Sequence, residues 1–136
     1  MILHIQNNLL VEDVQDHFAE CFPWLKLEFY SKSHRSRKSS DDNDLIAPGT
    51  RISDITHNHK VGILEIKSSD TVGHIETMLK TLFGLNAQIF RKENSCWIQT
   101  TTSDKYSLIQ QKEFSEHAAT SLFPKVKDQV DEYEFL

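Results

Sequence analysis

His57 and His59 stand one residue apart, the closest pair of imidazoles in the chain. On a strand, positions i and i+2 share a face, so both rings would turn toward one ion such as zinc. A complete shell needs three or four ligands, and His34, Asp41, Asp42 and Asp44 are the nearest sources of the others. Two solvated loop histidines fit the same spacing, so His57 and His59 are a weak metal candidate. No cofactor is expected.

The second chemistry-bearing stretch is basic. Lys32, Arg35, Arg37 and Lys38, with His34 between them, are interleaved with serines and would hold phosphates by displacing counterions. Tyr30 and Trp97 are the aromatic residues that would stack bases beside such a run. Against a nucleic-acid surface, Asp41, Asp42 and Asp44 follow at once, and the formal net charge is -5. The strand motif of basic residue, glycine and alternating aromatics is also absent.

Nucleophilic chemistry would fall to Cys21 or Cys96. Neither lies in a CxxC spacing or beside a glycine-rich elbow, and Cys21 is expected in the core as part of a helical stripe. The acid pairs Glu12-Asp13 and Asp41-Asp42 read as solvated neighbours. The four glycines at 49, 62, 73 and 84 form no phosphate-binding loop. Catalysis is therefore not the expected role.

The elements that would position these residues are set by a repeat. Shifting the chain by 61 positions puts Ile2 on Ile63, Leu3 on Leu64, Ile5 on Ile66, Val11 on Val72, Val14 on Ile75, Phe18 on Leu79, Cys21 on Leu82 and Phe22 on Phe83. In the first copy a short strand precedes a helix whose apolar residues, from Leu10 through Phe22, recur at spacings of three and four. Pro23 ends that helix, and Leu25, Leu27 and Phe29 then alternate with Lys26, Glu28 and Tyr30 as in a half-buried strand. The second copy repeats this order with Gly84 as the helix stop. One mismatch stands out: Leu27 falls on Gln88, while Ala87 and Ile89 look like the inward pair.

Two βαβ units in series predict an α+β domain of the ferredoxin-like split β-α-β-β-α-β kind, with a hairpin strand and a C-terminal helix added; a β-grasp is the alternative. The units are residues 2–30 and 61–92, joined by a loop at 31–60, with the hairpin strand at 96–101 and a loosely attached helix at 104–118. Together they make one domain over residues 1–118, and 119–136 form a tail, docked or free. A length of 136 residues suits one such core. The apolar runs fall far short of the ~20 residues a membrane span requires, so no membrane partner is expected. The amino terminus lacks the basic region of a secretion signal, which leads us to expect a cytoplasmic protein.

A two-layer antiparallel fold leaves one sheet face uncovered. Tyr30, Ile63 and Trp97 are expected there. The function expected is that of a small non-enzymatic binding or regulatory module, acting through a protein partner or as a homodimer. The alternative is a weak nucleic-acid binder using the loop at 32–38.

Overall fold

Apolar residues that recur in step with helix and strand periods account for nearly every element of the computed structural model, which describes residues 1–32, 40–56 and 60–120. Arg35, Arg37, Lys38, His57, His59 and the tail beyond residue 120 lie outside the described residues. In order, the elements are β1 (Ile2–Ile5), α1 (Val11–Cys21), β2 (Leu25–Tyr30), β3 (Gly62–Glu65), α2 (Val72–Phe83), β4 (Asn86–Glu93), β5 (Cys96–Gln99) and α3 (Leu108–Thr120), with two short 3-10 turns at Asp42–Asp44 and Ile52–Asp54. The fold is α+β. Among the described residues, no helix is long and apolar enough to cross a membrane.

The strands are divided differently from the single split sheet expected. β1 pairs with β3 in a two-stranded antiparallel sheet, and β2, β4 and β5 form a second antiparallel sheet in that order. Each unit thus gives one strand to each sheet and pairs it with its counterpart. Leu3 faces Leu64 across the first ladder, 61 positions on, so a local two-fold passes through that pair. In the second ladder Glu28 faces Gln88, only 60 positions on.

This one-residue slip explains the Leu27 mismatch. In the first unit Phe22, Pro23 and Trp24 link α1 to β2. In the second, Gly84 takes a left-handed conformation (φ 70°), and Leu85 donates back to the Leu79 carbonyl. The chain therefore enters β4 one residue early. Leu25, Leu27 and Phe29 are buried on one strand, and Leu85, Ala87 and Ile89 on the other.

Matched helix positions share the core: Val11 with Val72, Val14 with Ile75, Phe18 with Leu79, and Phe22 with Phe83. Each such side chain adds roughly 1.5–3 kcal/mol on full burial. Cys21 is exposed, contrary to expectation, as is its counterpart Leu82. Phe22 carries the stripe past the helix end, and Cys21 turns away from it.

The repeat also extends beyond what the residues reveal. The first amides of α1 donate to the carbonyls of Thr50 and Pro48, at 2.8 and 2.9 Å, and those of α2 donate to Tyr106 and Asp104, at 3.2 and 2.8 Å. The returning chain thus satisfies donors that a helix start leaves orphaned. Ile52 and Leu108 close the two clamps, both fully buried, by donating to Leu9 and Asp70.

α3 is firmly docked, which corrects the loose attachment expected. Leu108 anchors it in the buried core, and polar and cationic contacts hold the rest: Trp24 Nε1 donates to the Leu108 carbonyl at 2.9 Å, Arg91 donates to Gln111 Oε1 at 2.7 Å, and the Arg91 guanidinium lies 5.4 Å from the Phe114 ring centre. A weak apolar stripe conceals this kind of docking.

Candidate functional site

Alternation along β2, β4 and β5 places Lys26, Glu28, Tyr30, Asn86, Gln88, Phe90, Lys92, Trp97 and Gln99 on one face, away from the core. This is the face expected to be open. Its middle is strapped: Gln99 accepts from the Ser40 amide at 3.0 Å and donates to the Ser40 carbonyl at 3.3 Å, so the inter-unit connection crosses the sheet there. Leu45 then returns to bridge Tyr30. Tyr30, expected to be exposed, is accordingly 2% exposed, and Gln88 1%. Ile63 is exposed, but on the other sheet.

Burial pushes the Tyr30 phenol up to about 12, helped by the negative charges of Glu28 and Asp42. Beside it, at the local two-fold, four side chains form a row. Gln15 on α1 donates to Glu28 at 2.6 Å, and Gln88 donates to Glu76 on α2 at 3.4 Å. Helix amide with strand acid in one unit becomes helix acid with strand amide in the other. No two acids in the row are direct neighbours.

Among the described residues, the Trp97 end of the face is uncovered. The Lys26 ammonium lies 4.8 Å from the Phe90 ring centre and 5.4 Å from that of Trp97, and 3.4 Å from Glu28 Oε2. Lys92 is the direct ladder partner of Trp97. Trp97 is 38% exposed on this face and Ile98 40% on the other, with the free thiol of Cys96 also exposed.

The edges differ in how they are closed. On β2 the Leu25 amide donates to Phe22, the Leu27 carbonyl accepts from Gln15 Nε2 at 2.8 Å, and the Phe29 carbonyl accepts from the Ile46 amide at 2.9 Å. On β4, past the end of β5, the Ile89 amide donates to Glu76 at 2.8 Å. β5 has no such cover among the described residues. The Thr100 amide donates to the Ile89 carbonyl, which sets the alternation of the β4–β5 ladder and turns the backbone groups of Trp97 and Gln99 outward.

The residues singled out from the sequence are thus only partly assembled. Tyr30 and Trp97 share a face but sit at opposite ends of it, and exposed Lys32 follows Tyr30 at the strapped end. Among the described residues no group of three or more histidines, cysteines or acids is placed to hold a metal. A concavity of about 430 Å³ beside Tyr30, Ile46, Thr50, Asp54 and Asn86 offers one carboxylate and a phenol that burial holds neutral. Sequence reasoning missed the β5 edge. The signal was present, because residues 94–103 hold no charge in a chain that is 26% charged, and natural edges are usually guarded by charge.

In comparisons with known proteins, no family model, no curated protein and no solved structure matches this chain.

Proposed function

We propose that this chain is a non-enzymatic interaction module whose contact surface is the outer edge of β5. The observation that carries this reading is the contrast between edges: on β2 the carbonyls of Leu27 and Phe29 accept from Gln15 and Ile46 and both residues are fully buried, and on β4 the Ile89 amide donates to Glu76, whereas β5, uncovered among the described residues, carries exposed Trp97 and Ile98. Such an edge takes an extended segment as an added strand, with main-chain hydrogen bonds for affinity and the two flanking side chains for selectivity. The exposed thiols of Cys21 and Cys96 suit a reducing compartment, which supports a cytoplasmic setting.

The test is a selection of displayed random peptides of about 12 residues, mapped by amide NMR. Binders should shift Trp97, Ile98 and Gln99 and slow exchange of the Trp97 and Gln99 amides. Trp97→Lys should weaken them by at least about tenfold. Binders that map elsewhere, or no binder at about 1 mM, would overturn the reading.

A second reading, single-stranded nucleic acid, draws on Lys26, Lys92, Phe90 and Trp97 as a cationic stacking patch. It loses Tyr30, which is buried, and has Lys26 already engaged by Glu28. Fluorescence anisotropy with a labelled oligonucleotide at low salt separates the two: the first reading predicts no change, the second micromolar binding that weakens with salt.

A further inference from the structure

The occupant of the β5 edge can be named if the interaction-module reading holds, on which this inference rests. We infer that β5 pairs antiparallel with β5 of a second copy, joining two three-stranded sheets into one of six strands.

Two-fold pairing sets every residue opposite a residue of the same short stretch, so a charge near the axis meets its own kind, and like charges directly opposite destabilise a ladder. Residues 94–103 carry none. The neighbouring stretch is not so built, since Arg91, Lys92 and Glu93 precede it. A neutral ten-residue run on an unguarded edge is thus matched to itself.

The register follows from the outward groups. Only Trp97 and Gln99 turn their amides and carbonyls away from β4, so a ladder that uses all of them sets Trp97 of one copy against Gln99 of the other. The two-fold then falls on Ile98. Its backbone points back to β4, which makes Ile98 facing Ile98 a non-hydrogen-bonded pair with a Cα separation of about 4.5 Å. Both isoleucine side chains, each 40% exposed in the single copy, meet on one face, and Trp97 lies beside the partner's Gln99 on the other. With about four main-chain hydrogen bonds and a short strand, the contact belongs to the weak, concentration-dependent class.

Site-directed cross-linking of the full chain reads this register. In a Cys21→Ser, Cys96→Ser background, Ile98→Cys places two thiols at a separation a disulfide accepts, while Gln99→Cys places them about 8 Å apart, beyond its reach. Under mild oxidation the Ile98→Cys chain should form disulfide dimers at least about tenfold faster than the Gln99→Cys chain, with a rate that rises with concentration. Equal or reversed rates overturn the register. A chain that neither cross-links nor departs from monomeric sedimentation at about 1 mM overturns self-pairing. If selected peptides still protect the Trp97 and Gln99 amides in that case, only the choice of occupant has failed; if they do not, the interaction-module reading fails with it.

Discussion

Tyr30 and Arg91 show how single polar side chains report on the fold. The Tyr30 phenol titrates near 10 when unfolded and near 12 when folded, because burial and the charges of Glu28 and Asp42 oppose the phenolate. Between those values the unfolded chain releases its proton first. The stability Tyr30 contributes is therefore complete below pH 10 and is lost as pH rises through 12, a fall of up to about 3 kcal/mol. Urea unfolding across that window should show the decline, and Tyr30→Phe should flatten it. Arg91 donates to Glu93, Ser103 and Gln111 while stacking on Phe114. Arg91→Met should cost about 2 kcal/mol and raise amide exchange along α3; Arg91→Lys should recover little, since a single ammonium cannot span three acceptors.

At the scale of elements, the two units solve one problem with opposite chemistry. Gln15 with Glu28 in the first unit corresponds to Glu76 with Gln88 in the second. Gln15→Glu would set two carboxylates in contact, so it should cost about 1–2 kcal/mol near neutral pH. The paired acids hold a proton more tightly when folded, so the loss should be relieved as pH falls to about 4. Adding Glu28→Gln copies the arrangement of the second unit and should restore most of the loss near neutral pH, short of the Lys26–Glu28 ion pair it removes. The helices, strands and hairpin were legible in the sequence because apolar spacing encodes them directly: Val14 and Ile75, or Leu3 and Leu64, are buried as their periodicity requires. What apolar spacing does not encode stayed hidden. The clamps from Thr50 and Tyr106 are backbone bonds, α3 is held by Arg91 and Trp24, and the Ser40 strap depends on an amide side chain. The division into two sheets was hidden as well, because strand spacing tells which residues face inward and leaves the partner strand open.

At the scale of the molecule, the two units act as one body. Leu3, Val14, Leu64 and Ile75 belong to a single buried cluster, and each unit supplies one strand to each of the paired ladders. Leu3→Ala should therefore cost about 3 kcal/mol and lower exchange protection in both units alike; a loss confined to residues 2–30 would mean that the units unfold separately. The paired scaffold closes its own β2 and β4 edges and leaves β5 exposed. That contrast is the basis of the proposed role, and amide hydrogen exchange at about 20 µM and about 1 mM tests it most directly. The account predicts that the Trp97 and Gln99 amides slow by at least about tenfold at the higher concentration while those of Leu27 and Ile89 stay unchanged. Equal exchange of Trp97 and Gln99 at both concentrations, or protection gained on another surface, would contradict it.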